Sequence, residues 1–251
     1  MRRGLRLVVV TALTLAAGAG AVRLQPMLVE LELFQVRDVR LEGGHHLAAQ
    51  EAVAAAAVPA DASVWDDAEP WEAALERHPL VKDARVRRRL PSTLVLEVEE
   101  RVPVALLPTP TLEPVDAEGR LLPIDPALHR LDLPVVRLAG HAGRGGRRPP
   151  AGWAPHRIRH LTAELERLSI QDPAFVQELA VLSARADGEV EAMWGEGGVR
   201  LVFRAPLTPR RLQEARAALA DAGRRFPERT ARDVDLRFAD QVVVRFDGAG
   251  R

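Results

Sequence analysis

The residues best suited to chemistry are two histidine pairs, four serines and a run of glutamates. His156 and His160 stand four apart, a spacing that on a helix turns both imidazoles to one side and could hold a metal ion. A zinc-peptidase pattern needs a glutamate directly after the first histidine, and Arg157 stands there instead. His45 and His46 are adjacent, so a regular strand sends them to opposite faces, and no third ligand follows at a recognisable spacing. Ser63, Ser92, Ser169 and Ser183 all lie outside a G-x-S-x-G elbow. Glu97, Glu99 and Glu100 could do acid–base work, but cross-strand arginines account for the first two. The GEGG at 195–198 falls between two expected strands and opens no helix, so it is not a phosphate loop. With no cysteine, disulfides, thiolate catalysis and cysteine-based metal sites are excluded. These residues assemble no catalytic set, no cofactor site and no metal site, and the chain reads as a non-enzyme.

The elements that would position such residues say more than the residues do. Positions 78–103 read HPLVKDARVRRRLPSTLVLEVEERVP. Alternation puts Ala84, Val86 and Leu90 on one face of a strand, and Leu94, Leu96 and Val98 on one face of the next. A loop of Pro91, Ser92 and Thr93 pairs Leu90 with Leu94 and Val86 with Val98. The same register sets Arg87 against Glu97, Arg85 against Glu99 and Asp83 against Arg101, all opposite in sign. Arg88 then falls on the apolar face opposite Leu96, and must snorkel or sit near an edge.

Before this hairpin, FQVRDVRLE (34–42) reads as a strand with a bulge where the apolar phase slips between Val36 and Val39. Residues 47–57 are alanine-rich and helix-prone. Residues 66–78 read as a second helix, capped by Asp66 or Asp67, with Trp71, Ala74, Leu75 and His78 on one face and Pro79 as its stop. The order is β-α-α-β-β over roughly seventy residues, a small domain. Beyond Pro103, residues 112–125 suggest two short strands around a turn at Asp116–Gly119, and the Gly/Pro/Arg-rich 140–155 reads as a mobile loop. An RNA-binding reading of that loop lacks any repeat and has only Trp153 as an aromatic. Ile158, Leu161, Leu165 and Leu168 mark an amphipathic helix. A meander follows: ELAVLSAR, an Asp187-Gly188 turn, EVEAMW, then VRLVFR. Thr208 caps a further helix with Pro209 at its first position, and Leu212, Ala215, Leu219 and Ala222 face inward. A terminal hairpin runs over 233–246, with Val234, Leu236 and Phe238 alternating in one strand and Val242, Val244 and Phe246 in the other. Val242, Val243 and Val244 stand in succession, with charge only at Arg245 and Asp247. Such an edge, with nothing after it to cover it, is expected to take a strand from a partner, unless an earlier strand folds back onto it.

The 251 residues allow one large domain or two small ones, the apolar share of 47% supports a core, and a formal net charge of zero gives no pull toward nucleic acid. At the N-terminus, Arg2, Arg3 and Arg6 precede an uncharged stretch from Leu7 to Val22. This reads as a single membrane anchor over 7–24 with a short cytoplasmic tail (1–6) and the remainder outside, the rival being a cleaved signal peptide at AGAGA.

In this frame the chain resembles the FtsQ/DivIB bacterial cell-division proteins. FQVRDVRLEGGHHLAAQEAV is similar to the opening of a POTRA domain. Pro79, Val81, Ala84, Val86, Arg88, Pro91, Leu94, Val98, Glu100, Arg101, Pro103 and Ala105 resemble the close of the FtsQ-type POTRA. PVDAEGRLLP and VDLRF…VVVRF resemble the start and end of the family's β-rich second domain. The resemblance implies an α+β protein: one N-terminal transmembrane helix, a POTRA domain over 32–102 and a β domain with packed helices over 103–247. It implies a bitopic inner-membrane scaffold at the division septum that holds FtsB and FtsL for septal peptidoglycan synthesis, and meets other division proteins through the POTRA domain. It implies no cofactor, no small-molecule substrate and no nucleic acid. Partner binding falls on Asp235, Leu236, Arg237, Phe238, Val242, Val243, Val244, Arg245 and Phe246, with Phe238 and Phe246 at the family's aromatic positions. The alternative is a POTRA-containing component of outer-membrane assembly or secretion.

Overall fold

The computed structural model describes residues 32–139, 152–185 and 187–247. The expected tail (1–6), anchor (7–24) and most of the Gly/Arg-rich loop (140–151) lie outside the described residues. Among the described residues, no helix is long and apolar enough to cross a membrane. The chain divides after Glu100 into two compact units.

In the first unit, a 3-10 turn (Glu32–Phe34) precedes β1 (Asp38–Glu42), α1 (Ala49–Ala56), α2 (Glu69–Leu75), β2 (Val81–Arg89) and β3 (Thr93–Glu100). The sheet order is β1-β3-β2, with β1 parallel and β2 antiparallel to β3. Leu75, Leu94 and Leu96 are fully buried, with Trp71, Ala84, Val86 and Val98 nearly so. Burial at this depth contributes about 1.5–3 kcal/mol for each large apolar side chain.

The hairpin forms, but two residues out of the expected register. Ala84 pairs with Val98, Arg85 with Glu97, Val86 with Leu96 and Arg88 with Leu94. A slip of two leaves every side chain on its expected face, so alternation cannot distinguish the two registers. Leu90 moves into the turn, where it is exposed. Asp83 now faces Glu99, and Lys82 Nζ offsets that like-charge pair by reaching Glu99 at 2.6 Å. Arg87 still forms its ion pair with Glu97, now diagonally. Arg88 does snorkel: its guanidinium donates to the carbonyls of Val64 and Asp66 at 2.6 and 2.9 Å.

The expected bulge at 34–42 is absent, because Phe34 and Val36 precede the strand and β1 starts at Asp38. Neither Asp66 nor Asp67 is the N-cap of α2; Ala68 holds that place, while Asp66 accepts from Ser63 N and Asp67 from Glu69 N. Gly43 turns the chain out of β1 at φ 89°, and a Cβ there would stand 2.4 Å from the Val98 carbonyl oxygen. Glu100 closes the same corner. Its carboxylate accepts from the main-chain N–H groups of His45, His46 and Leu47 at 2.8, 3.0 and 2.8 Å.

The second unit contains β4 (Pro103–Pro108), β5 (Leu112–Asp116), a short α3 (Pro126–His129), β6 (Val135–Leu138), α4 (His156–Gln171) and α5 (Pro173–Gln177). It continues through β7 (Leu179–Ala184), β8 (Glu189–Trp194), β9 (Val199–Arg204), α6 (Pro209–Arg225), β10 (Ala231–Asp235) and β11 (Val243–Phe246). All eight strands make one sheet, ordered β11-β10-β9-β8-β7-β6-β4-β5. Register aligns Val136, Leu182, Ala192, Leu201, Val234 and Val244 in one row across six strands. The first five are fully buried, in a core shared with Ile158, Leu161, Leu165 and Leu168 of α4 and Leu212 and Ala215 of α6. Thr208 caps α6 as expected, its hydroxyl accepting from Arg211 N. The expected second strand of 112–125 shrinks to two isolated bridges, Leu121 with Val115 and Arg120 with Trp153. Residues 152–154 are tied down rather than loose: Leu121 N donates to Gly152 O at 2.8 Å and Ala154 N to Gly119 O at 2.7 Å.

Candidate functional site

Each unit has two edge strands, and three of the four are covered or charged; in the first unit β1 carries Asp38, Arg40 and Glu42. In the first unit, β2 is an edge, but Glu72 accepts from the Val86 N–H at 2.8 Å and the strand carries Lys82, Arg85, Arg87, Arg88 and Arg89. In the second unit, β5 contains Pro114, and Leu122 N donates to the Pro114 carbonyl at 2.8 Å as the chain returns along it. The far edge, β11, has none of these covers. Among the described residues it pairs only with β10, it contains no proline, and its one charge is Arg245.

Main-chain direction along β11 follows from two hydrogen bonds. Leu236 N donates to Val202 O on β9 at 2.8 Å. Alternation therefore points Val234 and Leu236 toward β9, and Asp233 and Asp235 toward β11. Their register partners, Arg245 and Val243, point back at β10. Asp247 N, donating to Thr230 O at 3.0 Å, continues that alternation. The N–H and C=O groups of Val244 and Phe246 accordingly face outward.

Side chains divide between two faces. Val242 and Val244 pack against the core, and Phe246 stacks edge-on to Phe226 with ring centroids 5.3 Å apart. The Arg229 guanidinium lies over Phe246 at 4.5 Å. On the opposite face, Asp233 and Asp235 are buried beneath arginines. Arg200 binds Asp233 at 2.7 Å, and Arg237 spans Asp235 and Glu189 at 2.6 and 2.9 Å. Arg245 stands 3.9 Å from Asp235. The Arg200 hydrogen bond holds the Asp233 carboxyl below its ordinary range despite burial, and the Arg237 hydrogen bond does the same for Asp235. Asp235 and then Glu189 in turn push Arg237 upward.

The expected hairpin is thus a looser object than its alternation suggests. The first strand ends at Asp235, so Leu236, Arg237 and Phe238 belong to a loop, as does Val242. Leu236 is buried, whereas Phe238 is 44% exposed. Asp235 and Arg237 satisfy each other and the sheet rather than standing free. Val242, Val243, Val244, Arg245 and Phe246 do come together along the edge. Sequence reasoning missed Phe226, Arg229 and Arg211, the last donating to the carbonyls of Leu236, Phe238 and Gln241. Phe226, an apolar residue directly after an amphipathic helix, offered a weak signal; Arg211 offered none.

The histidines lie elsewhere. His156 and His160 do share one side of α4, their rings 4.4 Å apart, and no group of three or more metal-binding side chains occurs among the described residues. Of the three glutamates, Glu97 and Glu99 sit in ion pairs and Glu100 in its turn.

Residues 34–101 match the family model for the FtsQ-type POTRA domain. A protein of Anaeromyxobacter sp. (strain K) named cell division protein FtsQ is 34% identical over 160 residues, 61% of this chain and 54% of that protein. One of the same name from Rhodothermus marinus is 31% identical over 226 residues, 86% of this chain and 79% of its own. A third, from Myxococcus fulvus, is 30% identical over 142 residues, 53% of this chain and 49% of its own. The chain thus spans about half of the Anaeromyxobacter and Myxococcus relatives and most of the Rhodothermus one.

Proposed function

The chain belongs to the FtsQ family, and from that premise we propose that it is a non-catalytic scaffold of the bacterial division machinery. In this reading it is held in the inner membrane by residues 7–24, with both units outside the cytoplasm at the septum. It holds FtsB and FtsL homologues there and meets other division proteins through its POTRA unit. It needs no cofactor and takes no small-molecule substrate or nucleic acid.

The attachment works by strand addition to β11. A partner segment lies along the edge and exchanges main-chain hydrogen bonds with Val244 and Phe246, while its side chains meet Val244 and Phe246 on one face and Val243 and Arg245 on the other. Phe238 borders the added strand and supplies exposed aromatic surface. Main-chain bonds give affinity here, and the flanking side chains give selectivity. The observation that carries the reading is the contrast among edges: β5, β2 and β1 are covered or charged, and β11 is uncovered among the described residues, with Arg245 its one charge. Co-purification of the full chain with the FtsB and FtsL homologues of its own organism tests it. The reading expects a stable complex that Phe238→Ala weakens, and it fails if neither homologue is retained.

A further inference from the structure

One guanidinium organises the whole approach to the open edge. Arg211, in the first turn of α6, is largely buried, with 16% of its side chain exposed. Its Nη2 lies 3.1 Å from Leu236 O, 2.7 Å from Phe238 O and 3.1 Å from Gln241 O. Its Nη1 is engaged by Glu214, one turn along the same helix. Among the described residues, these are the only side-chain hydrogen bonds to carbonyls of the loop between β10 and β11. The first and last of those carbonyls converge on the same nitrogen, so the loop is closed at its base by Arg211. Phe238 lies within that closure, its carbonyl the nearest of the three to Arg211 and the residue itself exposed.

We propose that Arg211 is a positioning residue for partner binding: it sets the loop over 236–242 so that Phe238 and the start of β11 meet an incoming strand already ordered. This rests on the reading of β11 as the docking edge. A flexible loop of this length would have to be ordered at the moment of binding, and that entropy would be subtracted from affinity. The planar fork of arginine suits the task, since it can face a carboxylate with one nitrogen and carbonyls with the other. A lysine keeps the charge but cannot hold Glu214 and three loop carbonyls together.

The test uses the full chain in nanodiscs, with Arg211→Lys, Arg211→Gln and Glu214→Gln variants. Amide hydrogen exchange reads the loop, and dissociation of the organism's FtsB homologue reads the edge. Both Arg211 variants should speed exchange over 237–242 by at least about tenfold and speed partner release by about tenfold, equivalent to about 1.4 kcal/mol. Exchange in β9 and α4 should stay at the parent rate, and Glu214→Gln should give a smaller change in the same direction. A merely structural role would move β9 and α4 as well, and that result overturns the proposal. So does a loop that exchanges at the parent rate in Arg211→Gln, or a loosened loop with unchanged partner release. If the parent chain itself binds no FtsB homologue, the docking reading fails and takes the presenting role with it, while the exchange arm separately decides whether Arg211 holds the loop.

Discussion

Replacing Glu100 should unlatch the first unit. The carboxylate accepts three main-chain N–H groups, from His45, His46 and Leu47, at 2.8 to 3.0 Å. Leu47 is 4% exposed, so its N–H would lose its partner without gaining water, whereas His45 is exposed and water can replace its bond. A hydrogen bond to a charged group contributes about 1.5–3 kcal/mol, and an orphaned buried donor costs about 1–3. One buried loss and two partly compensated ones put Glu100→Ala at roughly 2–4 kcal/mol, and Glu100→Gln, which keeps an acceptor oxygen but no charge, at roughly 1–2. Burial pushes the Glu100 carboxyl up, but the bonds from Leu47, His46 and His45 outweigh it and hold the group below the ordinary 4.5. A depressed native value means the advantage of the parent over Glu100→Gln is full above the unfolded pKa and is lost as pH falls through the native one. Native-state hydrogen exchange in α1 and β3 reads the first unit separately from the second. An alanine variant with parent-like protection there, or a parent-to-glutamine difference that persists unchanged into acid, would refute the reasoning.

Gly43→Ala should also destabilise the first unit, because alanine at φ 89° costs about 1–2 kcal/mol and its Cβ meets main chain rather than a movable side chain; urea denaturation of that unit reads it. Reversing the charge of Arg87 or of Glu97 alone should weaken the hairpin, and reversing both should recover part of the loss, with a coupling that fades in high salt because the pair is exposed. A coupling that is zero at low salt would remove the diagonal contact from the account. Thr208→Ala should cost about 1 kcal/mol through loss of the cap of α6, with thermal unfolding of the second unit as the measure.

Much of this fold was legible where two signals coincided. Thr208 and Pro209 announced the start of α6 by cap chemistry, and inward spacing then fixed its face. The meander of β7, β8 and β9 was readable because Gly188 and the glycines at 195–198 separate three alternating runs. The hairpin register was not, because alternation repeats every two residues, and the Arg87–Glu97 pair forms in either register once long side chains reach diagonally. Alternation also extended the terminal hairpin too far: Leu236 and Phe238 keep the period of a strand while the loop carbonyls turn to Arg211. At the candidate site, the valine run was visible as an apolar edge. What closes the other edges, Glu72 against Val86 and Leu122 against Pro114, depends on tertiary approach and leaves no local pattern.

The central claim is that a partner strand bonds to the outward main chain of β11, and two adjacent prolines test it. At Val243 the N–H points into β10, so Val243→Pro removes a ladder bond and should destabilise the second unit by about 3 kcal/mol or more. At Val244 the N–H points outward, and proline is tolerated on an edge whose donors face solvent. Val244→Pro should therefore stay folded, losing less stability than Val243→Pro because only the packing of a half-buried valine is removed, and lose the FtsB homologue in a direct binding measurement. A folded Val244→Pro chain that binds that homologue as tightly as the parent would contradict strand addition at this edge.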